Sequence, residues 1–240
     1  MTVELFIPCY IDRFFPQTGM NTVKILEKLG CQVNYNPKQT CCGLPAYQSG
    51  YSLETEQVAA KFVKDFAESS GFLVAPSAYC VHMIRNVYDR LLEKQASELC
   101  YQLQKRTFEL SEFVTDVLET QQIEGAALDG LATFHDSCLA LRACGIYEAP
   151  RLLLQHVKGL SLIDMRESEN CCGFGGGLPG KFSELSVALA EQKIDCATAT
   201  QADYLISTDA TCLMHLDGYI RKNRKKLQIM HIADVLASGW

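Results

Sequence analysis

Thr40-Cys41-Cys42-Gly43-Leu44 and Asn170-Cys171-Cys172-Gly173-Phe174 carry the same triplet, Cys-Cys-Gly. In a chain of 240 residues with 12 Cys and 16 Gly, chance would supply on the order of 0.04 such triplets. Two copies signal an internal repeat, and the repeat governs how the whole chain is read. Upstream, 31 residues separate Cys9 from Cys41 and 32 separate Cys138 from Cys171. Downstream, 37 residues lie between Cys42 and Cys80, and 39 between Cys172 and Cys212. The copies are therefore offset by 129, 130 and 132 residues, a drift that small loop insertions produce.

The flanking patterns repeat with the cysteines. Leu5-Phe6-Ile7-Pro8 before Cys9 corresponds to Leu131-Ala132-Thr133-Phe134-His135 before Cys138, and both read as short buried strands. Gly71-Phe72-Leu73-Val74-Ala75-Pro76-Ser77 before Cys80 corresponds to Ala202-Asp203-Tyr204-Leu205-Ile206-Ser207-Thr208 before Cys212. Helical stretches are expected at 55–69 and 183–199, and again at 81–94 and 213–225. Phe108-Glu109-Leu110-Ser111-Glu112-Phe113-Val114 and Met230-His231-Ile232-Ala233-Asp234-Val235-Leu236 close the two copies.

Each half thus reads strand, helix, strand, loop, helix, strand, helix. That order predicts an α/β fold of two pseudo-repeated, Rossmann-like parallel-sheet lobes. Ligands of such sheets gather at the carboxyl ends of the strands, where the repeated cysteines are expected. The first lobe is expected over 1–125, with extra helices at 95–120, and the second over 126–240. No Pro- or Ser-rich linker separates them, so tight packing of the lobes is expected.

Composition narrows the chemistry. With 48% hydrophobic and 21% charged residues the chain can bury a core and is not of disordered type. A net charge of −6 argues against a nucleic-acid footprint. No apolar run approaches the ~18 residues that span a bilayer. The opening Met1-Thr2-Val3-Glu4-Leu5-Phe6 reads as a strand rather than a signal peptide. A cytoplasmic protein is expected, in which clustered cysteines signify metal or redox chemistry more often than disulfides. No Ser-His-Asp or paired-carboxylate pattern stands out, which weakens a hydrolase reading.

Thiolates suit iron–sulfur clusters, zinc and copper(I). Cys9, Cys41, Cys42 and Cys80 can close one four-ligand site, and Cys138, Cys171, Cys172 and Cys212 a second. Adjacent cysteines are unusual for tetrahedral zinc, whose ligand pairs are normally spaced. They can instead hold different irons of one larger cluster, and the following glycine lets backbone N–H groups approach sulfur. Cluster ligation by all eight is the leading reading, with zinc and thiol–disulfide chemistry as alternatives. Cys31, Cys100, Cys144 and Cys196 have no counterpart between copies and are expected to fill the core. Cys144, six residues after Cys138, is the candidate exception.

Cys9-x31-Cys41-Cys42-Gly43-x36-Cys80 and its second copy resemble the CCG-domain (cysteine-rich) family of iron–sulfur proteins over nearly the whole chain. That family includes a subunit of the heterodisulfide reductases, the glycolate oxidase iron–sulfur subunit and the lactate-utilization proteins. The stretches His135-Asp136-Ser137-Cys138, Arg142, Cys171 to Gly177 and Asp209-Ala210-Thr211-Cys212-Leu213-Met214-His215 are most similar to the lactate-utilization branch. The resemblance implies an iron–sulfur electron-transfer subunit of a multi-subunit oxidoreductase that converts L-lactate to pyruvate. Its implied partners are the other subunits of that complex, including a ferredoxin-type iron–sulfur protein, and a small 2-hydroxy acid as substrate. Related subunits keep two alternatives open: a thiol- or heterodisulfide-type reductase with substrate sulfur at the cluster, and a subunit serving another 2-hydroxy acid or polyol phosphate. The fullest family motif ends in C-x-x-C, whereas Ser77 and Asp209 stand at the first of those positions here. Four cysteines per motif imply one 4Fe-4S cubane per motif in place of a non-cubane double cluster. Ser77 and Asp209 are expected in loop or helix-cap roles, with oxygen ligation as the alternative.

Weaker signals remain. Gly175-Gly176-Gly177-Leu178-Pro179-Gly180 fits G-x-G-x-x-G, but Pro179 interrupts it and no strand leads into it, so a flexible turn is expected rather than a nucleotide site. Lys181 reads as solvated, or as facing a carboxylate substrate. His135, Asp136 and His215 read as structural residues, or as groups tuning a cluster. Arg142 reads as a surface ion-pair residue, or as a counter-charge to a cluster. The basic run Arg221–Lys226 reads as a solvated helix end, or as a docking point for an acidic partner.

Overall fold

Alternating apolar residues open the chain as β1 (Thr2–Leu5), with Val3 and Leu5 buried. Helices α1 (Cys9–Phe14) and α2 (Pro16–Lys28) follow, Pro16 supplying the fixed φ favoured at a helix start. Next come β2 (Gln32–Tyr35), α3 (Leu44–Gln48), α4 (Ser52–Ala67) and β3 (Phe72–Ala75). The first lobe closes with α5 (Ala78–Asn86), α6 (Tyr88–Leu91), α7 (Ser97–Lys105), β4 (Thr107–Glu109) and α8 (Leu110–Glu112), which continues into a π turn at Phe113–Val117. The second lobe holds β5 (Ala127–Phe134), a π turn at Leu139–Cys144, α9 (Glu148–Gln155), β6 (Lys158–Leu162), α10 (Leu178–Lys181) and α11 (Ser183–Thr198). It ends with β7 (Tyr204–Ser207), α12 (Ala210–Lys222), β8 (Gln228–His231) and α13 (Ile232–Leu236). This computed structural model describes residues 1–67, 69–92 and 97–240. Residues 68 and 93–96, on which parts of the expected helices 55–69, 81–94 and 95–120 fall, lie outside the described residues.

The architecture is the expected pair of parallel-sheet α/β lobes. The first sheet runs β2-β1-β3-β4 and the second β6-β5-β7-β8, every pairing parallel. Register carries the repeat into space. Leu5 pairs with Val74 and Val74 with Phe108; Phe134 pairs with Ile206 and Ile206 with Met230. One step further on, Phe6 N donates to Val74 O at 2.9 Å, and His135 N donates to Ile206 O at 2.8 Å. Phe6 and His135 are therefore equivalent positions.

Two details differ from expectation. Each lobe has a fourth strand, and the segment 95–120, expected as helices, is interrupted by β4. Thr107, Phe108 and Glu109 pair with Leu73, Val74 and Ala75. Completing that sheet edge outweighs continuation of α7, and the residues are β-branched or aromatic enough to fit a pleated surface.

The lobes share one core. Ile25 and Leu26 of α2 join Val235 and Leu236 of α13, and Phe113 and Val114 join Leu153 and Leu154 of α9. Burial of each such side chain is worth about 1.5–3 kcal/mol, so the lobes are held by a continuous apolar seam. Thr18 Oγ1 and Asn21 Nδ2 donate across it to the Asp234 carboxylate at 2.7 and 2.9 Å.

Glu109 and His231 occupy equivalent ends of β4 and β8, and each caps the helix that follows. His231 Nδ1 accepts from Ala233 N at 3.1 Å. Glu109 Oε2 accepts from Ser111 N at 2.7 Å and from the Ser111 hydroxyl, while its Oε1 has no partner among the described residues. Burial pushes the Glu109 carboxyl from its ordinary 4.5 up to about 8. The folded state therefore holds this proton to higher pH than the unfolded chain. Stability is fully present below about pH 4.5 and falls as pH rises toward 8. Glu109→Gln, neutral throughout, should gain about 4 kcal/mol over the native chain at pH 8 and under about 1 kcal/mol at pH 5. Urea titrations at the two pH values check this.

Candidate metal centres

The carboxyl ends of β1, β2 and β3 deliver the first cysteine set. Cys9 opens α1, Cys41 and Cys42 end the loop after β2, and Cys80 lies in the first turn of α5. Cys9 Sγ and Cys41 Sγ are 3.6 Å apart, and Cys42 Sγ and Cys80 Sγ 3.2 Å. Gly43 adopts φ 89°, a left-handed conformation open to glycine, and its N–H points at Cys41 Sγ at 3.4 Å. The buried Tyr88 hydroxyl donates to Cys42 O at 2.9 Å and fixes the loop from below.

The second lobe repeats this arrangement. Cys138 precedes the π turn after β5, Cys171 and Cys172 end the loop after β6, and Cys212 lies in the first turn of α12. Cys172 Sγ and Cys212 Sγ are 3.1 Å apart, and Gly173 N–H points at Cys171 Sγ at 3.3 Å. Gly173 has φ 94°, and a Cβ there would lie 2.5 Å from Ser186 O and 3.2 Å from His215 Nε2. Gly173→Ala should therefore cost more than about 1 kcal/mol and displace Cys171 and Cys172. At Gly43 a Cβ meets only side chains at 3.5 Å or beyond, so Gly43→Ala should cost less. Melting temperatures and bound metal of the two variants check the order.

All twelve cysteines are free. In each set the first cysteine of the adjacent pair is driven furthest toward thiolate. Hydrogen bonds from Cys42 and Cys9, with the Gly43 N–H, hold Cys41 at about 3. Hydrogen bonds from Cys138 and Cys172, with the Gly173 N–H, hold Cys171 at about 2. Cys9 and Cys138 move upward because they donate to those thiolates and are partly buried. Thiolate is the metal-binding form, so each adjacent pair presents an anionic sulfur, and in the second lobe a hydrogen bond from Cys172 lowers Cys212 as well, to about 6.

The starts of α5 and α12, which carry Cys80 and Cys212, are linked across the lobes. Ser77 Oγ donates to Asp209 Oδ1 at 2.7 Å, and Tyr79 N donates to the same oxygen at 3.0 Å. Asp209 thus caps α5 of the other lobe while preceding α12 in its own. The expected helix-cap role is met by Asp209, across the lobes, whereas the Ser77 side chain makes no cap bond and donates to Asp209. Nearby, Gln48 Oε1 accepts from Gly176 N at 3.1 Å, and Tyr10 meets Phe174 edge-on at 5.7 Å between ring centroids. Tyr10, Pro45, Gln48, Tyr79, Phe174 and Pro179 line an open cleft of about 230 Å³ there.

Other sequence signals resolve into structural roles. Asp136 accepts two hydrogen bonds from Arg151, both 2.8 Å, and Arg151 stacks on Tyr147 at 3.8 Å. Nothing in the sequence tied Arg151, on α9, to Asp136. His215 Nε2 contacts Ser186 Oγ at 3.2 Å, linking α12 to α11. Arg142 Nη2 donates to Glu169 O at 3.1 Å, and Lys181 is exposed. Arg221 pairs with Asp217 and Lys225 with Asp195, as at a solvated helix end. The Gly175–Gly177 turn leads into α10 without a preceding strand. Cys31, Cys100, Cys144 and Cys196 pack against apolar clusters, outside the two repeated sets.

His135 is the exception among these signals. It is fully buried, and neither ring nitrogen has a hydrogen-bond partner among the described residues. One of those nitrogens lies within 4.8 Å of both Cys172 Sγ and Cys212 Sγ.

The sequence profile of the cysteine-rich domain family, CCG, matches residues 3–85 and again 132–217. A lactate utilization protein A from Anoxybacillus flavithermus is 39% identical over 238 residues, covering 98% of this chain and 99% of that protein. One from Macrococcus caseolyticus is 40% identical over 238 residues, covering 98% and 96%. Among solved structures, a hypothetical protein from Helicobacter pylori superposes with a TM-score of 0.69 at 11% identity, over 99% of this chain and 48% of that one. That similarity speaks for the fold. Among the described residues no helix is long and apolar enough to cross a membrane.

Proposed function

Because the chain belongs to the CCG cysteine-rich domain family, and within it to the lactate utilization protein A group, we propose that it is the iron–sulfur electron-transfer subunit of a cytoplasmic complex oxidising L-lactate to pyruvate. The observation that carries the proposal is the twofold convergence of four thiols on the carboxyl end of a parallel sheet. Cys9, Cys41, Cys42 and Cys80 would hold one 4Fe-4S cluster, and Cys138, Cys171, Cys172 and Cys212 another, in lobes spanning 1–125 and 126–240. The donor chemistry fits: soft thiols, free of disulfides, with a backbone N–H aimed at one sulfur of each set. A bound cluster supplies reversible storage of one electron.

The chain's own residues do the rest. Oxidation of a 2-hydroxy acid to a 2-oxo acid releases two electrons and two protons, which one-electron centres take up singly, so two centres match the demand. The Ser77–Asp209–Tyr79 link fixes the first turns of α5 and α12, and with them Cys80 and Cys212, relative to each other. Tyr10, Tyr79 and Phe174 line the open cleft beside this link. Further subunits, including a ferredoxin-type iron–sulfur protein, would carry the electrons onward.

The test is anaerobic. The chain is mixed with its partner subunits and L-lactate, and bleaching of the cluster absorbance is followed. Bleaching that needs both lactate and partners is expected; no response to lactate would reject the substrate. A second reading, one zinc ion per lobe, is favoured by a single observation. The sulfur separations of 3.1–3.6 Å approach the about 3.8 Å edge of a tetrahedral thiolate site built on 2.3 Å bonds. The adjacent cysteine pairs count against it.

A further inference from the structure

The two cysteine sets are repeats, but their surroundings differ at one position. In the first lobe the place after β1 is filled by Phe6, packed edge-on against Phe62 at 4.8 Å and Phe66 at 6.1 Å. Phe6 shares its apolar cluster with Cys42 and Cys80. In the second lobe the equivalent place after β5 is filled by His135, beside the equivalent cysteines Cys172 and Cys212. The backbone is held alike in both, by the Val74 and Ile206 carbonyls.

A fully buried imidazole with both nitrogens unpartnered is costly, because burying an unsatisfied polar group forfeits about 1–3 kcal/mol. Its main-chain carbonyl is satisfied by Ser207 Oγ at 3.0 Å, so the unsatisfied atoms belong to the ring alone. The neighbouring Asp136 is spent on Arg151 and leaves the imidazole free. The soft acceptors within reach of the ring are the sulfurs of Cys172 and Cys212.

Resting on the cluster reading above, we propose that His135 donates its ring N–H to sulfur at the second centre and makes that centre the more easily reduced of the two. A neutral imidazole always carries one N–H, so the effect needs no change of protonation. Hydrogen bonds to cluster or ligand sulfur stabilise the reduced, more negative state and raise the reduction potential. Phe6 offers the first centre no donor. An electron arriving at the first centre then passes to the second, which is reduced as the first is reoxidised; no bond is made or broken. The repeat thereby acquires a direction.

The experiment is a reductive titration of the reconstituted full chain, without oxygen and at fixed pH, with the two centres followed by EPR. Native protein, His135→Leu and His135→Gln are compared. In His135→Leu the reduced-to-oxidised ratio of one centre, read at the native midpoint, should fall at least tenfold, or about 59 mV for one electron, while the other centre is unmoved. His135→Gln, which restores an N–H donor, should recover most of the difference. Equal behaviour of Leu and Gln variants, or no change in either, would overturn the role of His135. A preparation that takes up no iron would overturn the cluster reading itself, and this inference with it.

Discussion

Cys212→Ala should remove the iron of the second centre and leave the first intact. Cys212 is buried beside Cys172 at 3.1 Å between sulfurs, and alanine offers no ligand atom in its place. Bound iron should fall from about eight per chain to about four, the count of one cubane. Cys80→Ala should do the same for the first centre, and the double variant should hold neither. Cys144→Ala, of similar size, should leave the count unchanged, because that thiol packs against Ala78 and the first-lobe core. Equal loss in the Cys144 and Cys212 variants would mean that iron uptake follows general stability rather than ligation.

Arg151→Ala should be the most destabilising single change away from the cysteines. Its guanidinium is bidentate to Asp136, whose side chain is 1% exposed, and it also donates to Tyr147 O at 3.0 Å. Removing one partner strands a buried carboxylate, a loss of about 3–5 kcal/mol. For a chain of this size that lowers the melting temperature by about 10 °C. Pairing Arg151→Met with Asp136→Asn should recover much of the loss, since no uncompensated charge then remains. Thermal melts of the single and double variants decide whether the ion pair or the packing of the arginine stem matters more.

The repeated cysteines were legible because duplication leaves a mark that does not depend on knowing the fold. In a parallel α/β half the loops at the strand carboxyl ends return to one place, so cysteines after three strands must converge. The fourth strand was not legible: Thr107–Glu109 is three residues long, too short for its period to stand out from the helices on either side. Contacts set by the meeting of the lobes were hidden for another reason. Ser77 and Asp209 are 132 residues apart, and each alone is an ordinary helix cap. The sequence poses the question of oxygen ligation at these two positions; in the fold Asp209 Oδ1 accepts from Ser77 and Tyr79, while its Oδ2 has no partner among the described residues. Gln48 and Gly176 lie 128 residues apart and carry no pattern. His135 was visible as a histidine near a cysteine, but its weight comes from alignment of the two copies in space. Only there does Phe6 become its counterpart and the lack of a partner for the ring become plain.

The most direct test of the central claim, two four-thiolate iron–sulfur centres in one duplicated chain, is a metal and acid-labile sulfide count on protein purified without oxygen. About eight iron and eight sulfide per chain are expected, as two cubanes require. Two zinc ions per chain with no sulfide, or neither metal nor sulfide after reconstitution, would contradict it.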